Sequence, residues 1–548
     1  MSTRRHLLKQ RIAGPTAAAA AFWIYLLVAG AVLFASIGDR WFAQDEWEFL
    51  SNRSLSSLDS LLRPYNEHWV TVPLVVFRIL YRVFGLDHYG PYAAVSIASH
   101  LAVVAATRAV LRRFGVSPWL ATAGAAALAL FGPGLNNVLV AFQITFTFAV
   151  LFSLLQLVLA DHPERSLGRE LAAVACGLAA ISSSGIGLPL AALTCAVLFV
   201  RRGWKQALTQ AVPLVVAYAA WMSAYWLDAR GAIPAPTLER IQMWSYHSAL
   251  GVFMGLGHYR PVAVALAVLL VVGLVGGGPS PQVEPSTEAH TQDHPPRPGW
   301  IGRHQMLLIA LGFLSTLAVI VLLTARTRWF LGPVGARSDR YIYTYAVLLT
   351  VALYLSIQNL ASRWRATGFV VAAMLMLALP ANARISQFPS PLANNLFTGT
   401  QTTYRSLIAM PEARLVSPDF QPVAGVYAGP APTIGFLLSA HDAGKLRAVD
   451  QVPEDVRNHN LVLLGLAQRR AELAPAACDN VVGDEPRSYP VGTRFQLSGT
   501  LTVTLTDSSG NPLGAPVGFS IANGDELTVE LDDLTFDLVV TSGTLALC

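Results

Sequence analysis

The chain of 548 residues is 53% hydrophobic and only 13% charged, with mean hydropathy +0.48. A water-soluble globular chain carries about 25% charged residues, so this one lacks the polar surface that water would need. Its net charge of +5 and pI near 9.0 do not point to nucleic acid, because the arginines gather at the ends of apolar runs, where topology and anionic lipid account for them.

Arg4, Arg5, Lys9 and Arg11 precede an apolar run at 17–37. That run is long enough to span a bilayer, and Gly38-Asp39-Arg40 makes a poor small-residue cleavage site. A retained first helix is expected. Further spans are expected at 89–111, 118–133, 138–160, 170–183, 185–200, 207–227, 260–277, 305–325, 341–358 and 366–381. With the N-terminus in the cytoplasm, the inner loops receive Arg112 and Arg113, Arg165 and Arg169, Arg201, Arg202 and Lys205, then Arg363 and Arg365. One starting choice therefore satisfies the positive-inside rule throughout.

Two apolar segments suit a span badly. Residues 70–86 carry Arg78 and Arg82 in their middle, and charge at the bilayer centre is costly. An interfacial or re-entrant helix is expected there, and another at 245–257. Residues 278–304, rich in Pro, His and Glu, read as a flexible cytoplasmic linker.

The fold class that emerges is mainly α, a polytopic membrane protein with about eleven spanning helices. Residues 1–381 form the transmembrane module, with a first outer loop at 38–88, and residues 382–548 form an extracytoplasmic domain. Residues 455–473 read as helical. Residues 476–548 alternate in short runs such as FQLSGTLTVTLTD, broken by Ser-Gly-Asn-Pro and Asn-Gly-Asp turns, which predicts a β-rich sandwich or jelly roll. Cys176 and Cys195 fall in apolar helices and read as small core residues. Cys478 and Cys548 bracket the β-rich segment and, outside the cytoplasm, are candidates for a disulfide.

Two clusters could carry chemistry. The first outer loop holds Asp45-Glu46-Trp47-Glu48 and then Asn66-Glu67-His68-Trp69. Solvated acids and tryptophan interface anchors account for part of this pattern. Neighbouring carboxylates also suit abstraction of a hydroxyl proton, one acting as base while another tunes it. The outer loop before the span at 341–358 holds Arg326, Arg328, Arg337 and Arg340, followed by Tyr341. Four arginines on the outer side run against the usual trend, and guanidinium groups match phosphate oxygens in bidentate fashion. Anionic lipid, or pairing with Asp339 and the first-loop carboxylates, is the alternative. Arg78 and Arg82 could serve the same end or snorkel. His68 and His258 are weaker candidates, more often structural.

With the Arg-bearing amphipathic helix and Phe84-Gly85-Leu86-Asp87-His88-Tyr89, the first-loop acids resemble the polytopic glycosyltransferases of the C-type fold. The similarity is closest to their bacterial members that use polyprenyl-phosphate sugars. It covers about residues 17 to 115; beyond these only the layout agrees. The resemblance implies a multi-pass protein of the bacterial inner membrane that takes a polyprenyl-phosphate-linked sugar. Its acceptor would be an extracytoplasmic glycan, lipid or protein, and membrane lipids would be its other partners. The acidic pair Asp45 and Glu46 would supply a general base or help bind a divalent metal, magnesium or manganese. Here the pair is Asp-Glu rather than the commoner Asp-Asp, and a Trp-Trp-Asp motif is missing, which puts metal use in doubt. On this reading Asp45 takes the acceptor proton and Glu46 tunes it. Glu67, His68, Arg78, Arg82, Arg326, Arg328, Arg337, Arg340 and Tyr341 hold substrate, and transfer inverts. The competing classes are a transporter or flippase of a lipid-linked glycan and a non-catalytic assembly protein of the envelope. A transporter would favour internal repeats and charges deep within spans, and the sequence shows neither. It also has no nucleotide-binding P-loop.

Overall fold

A computed structural model gives the architecture. It describes residues 14–229, 234–276, 299–364, 366–387, 391–414, 418–422 and 430–453, a few residues beside them, and the backbones of six strands between 466 and 547. The linker at 278–298 and both Cys478 and Cys548 lie outside the described residues. The described chain divides into two compact units. The first comprises residues up to Gly38, Leu55–Val76 and Tyr92–Pro389; the second comprises Asp39–Ser54, Phe77–Pro91 and the residues from Ser390 onward. The sequence reading put its one boundary after residue 381. By contact, two stretches of the first outer loop go with the C-terminal residues.

The first unit is helical. Its main helices are α1 (Pro15–Ala35), α2 (Gly90–Arg113), α3 (Pro118–Ala129), α4 (Ile144–Ala160), α5 (Leu167–Ile181), α6 (Gly187–Arg202), α7 (Trp204–Ala229), α8 (Leu238–Gly257), α9 (Arg260–Val275), α10 (Gly299–Arg328), α11 (Asp339–Arg363) and α12 (Ala366–Gln387). Local signals set their ends. Pro15, Pro118 and Pro261 occupy first-turn positions, where a missing N–H costs nothing. Ser166 and Thr237 accept from backbone N–H groups at the starts of α5 and α8, as capping residues do. Arg112, Arg113, Arg201 and Arg202 close α2 and α6, favourably placed against the negative end of the helix dipole.

Each of the eleven expected spans falls on a helix. Among the described residues, however, six helices are long and apolar enough to cross a membrane, or seven if the bent pair α8 and α9 counts as one. Helices α3, α5 and α6, with 12, 15 and 16 residues, are shorter than the roughly 20 that a 30 Å hydrocarbon layer needs. The chain is a polytopic membrane protein. Apolar side chains on its exterior fit a lipid solvent: Leu27, Val215 and Val275 are 75%, 65% and 84% exposed, which water would penalise. Helix α11 lies at the centre, the 18 residues of its most apolar stretch 94% buried, with α3, α8, α9 and α10 around it.

The segment expected to be interfacial forms a 14-residue helix, Thr71–Phe84, too short to span. The other, expected at 245–257, is the end of α8, which meets α9 at 106°. The break is at His258, whose φ is +58°.

In the second unit, Trp41, Phe42, Trp47, Phe49 and Phe77 are buried, and Tyr404 packs edge-on against Trp47 with ring centroids 5.6 Å apart. Asp87 takes Arg405 at 3.3 Å and Arg447 at 3.1 Å. The strands β1 (Leu466–Arg470), β2 (Asp479–Val481), β3 (Arg487–Tyr489), β4 (Arg494–Thr506), β5 (Val517–Val529) and β6 (Thr535–Leu547) pair antiparallel in the order β1-β5-β4-β6-β2, with β3 also on β6. The helical expectation for 455–473 gives way at β1, whose backbone pairs with residues 525–529. A partner strand this distant in sequence overrides local preference.

Candidate active site

In the first unit, residues 65–68 form a tight two-residue turn. Tyr65 and His68 exchange backbone hydrogen bonds of 3.0 and 2.9 Å, and Asn66 and Glu67 between them have φ of +46° and +67°. Two left-handed residues in succession define the turn that favours Asn-Gly. Asn66 tolerates that backbone and Glu67 does not. A side chain kept on a left-handed backbone is strain that the surroundings must hold in place. Here they do so through Arg328, whose Nη2 lies 2.9 Å from Glu67 Oε2 and Nη1 3.4 Å from Oε1.

Arg340 lies near enough to depress the His68 pKa, and its guanidinium carbon stands 5.4 Å from the Tyr341 ring centroid. Tyr341 is 5% exposed and packs between Trp244 and Phe146 at 5.9 and 6.3 Å. Among the described residues Arg337 and Arg340 make no ion pair. Arg337 donates instead to His247 Nδ1 at 2.7 Å, and Arg326 to the Pro234 carbonyl at 3.3 Å. Asp339 accepts from Asn136 Nδ2 at 2.7 Å and lies near enough to Arg340 to feel its charge. Glu67, His68, Arg328, Arg340 and Tyr341 thus come together, with Asp339 beside Arg340.

The backbone around His68 is shaped to receive it. A side chain at Gly185 would meet His68 Nδ1 at 2.7 Å, so the Ser-Ser-Ser-Gly bend between α5 and α6 can pass close only as glycine. Crowded on nearly every side, His68 loses hydration, and its pKa falls to about 4, Glu67 opposing and Arg328 and Arg340 reinforcing that shift. His68 is therefore neutral at pH 7. Above pH 6.5 it is neutral in the folded and unfolded states alike; as pH falls from 6.5 towards 4, only the unfolded chain gains the proton, so stability declines across that window. The full shift corresponds to roughly 3 kcal/mol, and about 2 kcal/mol after allowing for its partly exposed edge. Thermal unfolding in detergent followed by tryptophan fluorescence should show this acid loss, and His68→Gln should flatten it; an equally steep decline in the variant would contradict the assignment.

Sequence reasoning missed three contributors. Trp221 of α7 stacks on Trp69 with centroids 5.5 Å apart and planes at 4°, a contact between residues 152 positions apart for which the sequence carries no signal. The stretch 130–143, between α3 and α4, is mostly buried yet not one continuous helix. Irregular backbone at membrane depth persists only where protein covers it or a polar cavity adjoins it. Phe142 there packs on Tyr65 of the turn at 5.8 Å. The Asn137 side-chain amide, fully buried, has no hydrogen-bond partner among the described residues. The dipeptide Asn136-Asn137 inside an apolar stretch was the available sign.

In the second unit the acidic pair splits into two environments. Glu46 is fully buried, its Oε1 accepting from the Tyr89 hydroxyl at 2.7 Å and its Oε2 from the Ala43 N–H at 3.0 Å. Asp45 stands partly exposed at the start of the helix Glu46–Leu50 and makes no capping bond. Arg40, 5% exposed, lies beside Tyr89, and burial lowers its pKa. Arg78 donates to the Leu50 carbonyl and stands over Tyr81 at 5.1 Å; Arg82 is exposed, its carbonyl accepting from Lys445 at 2.7 Å. Among the described residues no three His, Cys, Asp or Glu side chains gather closely enough to hold a metal ion. Glu46, with each oxygen taken by a donor, is a poor ligand.

No family model matches the chain, and no curated protein matches it. Among solved structures it is similar to ArnT from Cupriavidus metallidurans in the apo state, with a TM-score of 0.47 and 16% sequence identity, over 82% of this chain and 93% of that one.

Proposed function

We propose that the protein is a membrane glycosyltransferase of the C-type fold that moves a sugar from a polyprenyl-phosphate carrier to an extracytoplasmic glycan, lipid or protein. The observation that carries this reading is the group at the strained turn: Arg328 fixed by Glu67, and Arg340 beside neutral His68 without an ion pair among the described residues. Two guanidinium groups in a poorly hydrated setting, one of them without an ion pair among the described residues, suit a phosphate group, and suit it better as negative charge develops on the departing phosphate. In the transfer the bond between the anomeric carbon and the carrier phosphate breaks, and the phosphate leaves with the electron pair. A bond from the acceptor oxygen to that carbon forms on the opposite face, inverting it, and the hydroxyl proton passes to Asp45. No step is assigned to a metal. The finer topology belongs to the same proposal: eleven membrane passes, the N-terminus in the cytoplasm of a bacterium, and a β-rich outer domain presenting the acceptor.

The test is direct. Purified full-length protein incubated with a panel of polyprenyl-phosphate sugars and a mixed envelope acceptor should release lipid phosphate with at least one of them. Arg340→Ala should weaken donor binding about tenfold or more, the size expected for loss of one charge-assisted hydrogen bond. Wild-type protein that moves the intact lipid-linked sugar across a vesicle membrane, releasing no lipid phosphate, would assign it to the flippase class instead.

A further inference from the structure

A second charged cluster lies outside that group, where three helices of the first unit end together. Asp161, directly after α4, has a carboxylate with no exposed surface. Its Oδ2 accepts from Arg113 Nε at 3.0 Å and Arg201 Nε at 2.8 Å, and its Oδ1 from Arg202 Nε at 3.0 Å. Arg202 Nη2 also donates to the Asp161 carbonyl at 2.6 Å. Three guanidinium groups thus share one carboxylate.

The count of charges and the count of donors both leave a surplus. Carbonyl groups at the helix ends offset some of the positive charge, but they do not use the remaining N–H groups. Every arginine reaches Asp161 through Nε, and among the described residues the Nη groups of Arg113 and Arg201 have no hydrogen-bond acceptor. The three side chains keep 13–23% of their surface exposed, so an outside acceptor can reach them. Phosphate oxygens match such forks.

The surroundings point to a lipid as the source of that phosphate. Arg201 stands over the Phe114 ring at 5.4 Å. Phe199, on the same helix as Arg201, is 56% exposed, and Trp204 is 58% exposed with Lys205 Nζ 5.8 Å from its ring centroid. Exposed aromatic rings beside cations at a helix end are the arrangement found at the headgroup level of a membrane, and basic pockets between spanning helices bind anionic headgroups on the cytoplasmic side. The positive-inside reading places these arginines on that side. We propose that Arg113, Arg201 and Arg202, gathered on Asp161, bind the phosphate of an anionic phospholipid.

Thermal unfolding of the full-length protein in a neutral detergent tests this, with phosphatidylglycerol, phosphatidylcholine or inorganic phosphate added at equal phosphate concentration. Phosphatidylglycerol should raise Tm by several degrees and the other two should not. Arg201→Gln and Arg113→Gln, made singly, should each weaken the phosphatidylglycerol effect at least tenfold in half-saturating concentration, while Arg165→Gln, in the same loop as Asp161 but paired with Glu170, should leave it unchanged. If the variants lower Tm yet keep the full lipid increment, the cluster is only a lock between helices and the proposal fails. Equal stabilisation by inorganic phosphate would overturn the lipid assignment. Should Arg201→Gln not fold, Arg201→Lys keeps the charge and removes the fork, and an undiminished lipid response there would also refute the site.

Discussion

Asp45→Asn is expected to cut sugar transfer about 10²- to 10⁴-fold, the range that loss of a general base produces, with the protein's abundance in membranes unchanged. The contrast with the next residue gives this prediction its force. The Asp45 side chain makes no capping bond, and asparagine serves as well at a helix start, so the exchange removes the charge and leaves the helix start intact. Glu46 is the opposite case. Glu46→Ala would strand the buried Tyr89 hydroxyl and the Ala43 N–H, each at a cost of about 1–3 kcal/mol, and should lower folded protein instead of turnover. Quantitative immunoblotting beside a transfer assay separates the two outcomes. Full transfer by Asp45→Asn would remove it from the base role, and normal abundance with lost activity in Glu46→Ala would reverse the division of labour.

Arg328→Ala should be the most damaging single change in the arginine group. It leaves Glu67 on a left-handed backbone with its bidentate partner gone, and it removes a cation from the proposed phosphate site. Breaking a fully buried pair costs about 3–5 kcal/mol. With these side chains 18% and 24% exposed, roughly 1–3 kcal/mol is the better expectation. A double-mutant cycle makes the point measurable. If Glu67 serves to hold Arg328, then Glu67→Ala with Arg328→Ala should be no less stable than the worse single variant. Donor affinity should stay low in all three. Fully additive losses would show that the two side chains act independently.

These expectations depend on features the sequence displayed unequally. Apolar runs placed the helices well, because burial in lipid leaves a composition signal in every span. The same runs were already short at α3, α5 and α6, where the helices have 12 to 16 residues, fewer than the roughly 20 that a bilayer core needs. The acidic and basic residues were visible as types, yet their partners were not. Nothing local pairs Glu67 with Arg328, 261 positions apart, or marks Glu46 as buried and Asp45 as partly exposed. A positive φ at Glu67 is invisible in a side chain that ordinarily avoids it. For residues 466–470 the helical reading failed for the same reason, since a strand's distant neighbour decides its conformation.

The bend between α8 and α9 imposes an order on how this protein can be built. A 106° break near His258 frees backbone carbonyls that need a partner beside them, and the Gly255 carbonyl accepts from Asn382 Nδ2 at 3.3 Å. Phe131 and Pro133 already lie against Gly255, but other contacts of the two arms come from chain made afterwards: Trp244 bonds Thr324 at 3.1 Å and Ser248 the Ala336 carbonyl at 3.4 Å, and Gly273 lies so close to Ser356 that an added methyl would meet its carbonyl at 2.6 Å. Residues 238–275 therefore complete their packing only once residues 299–363 have been synthesised. A ribosome stalled before α11 emerges would leave part of this elbow uncovered.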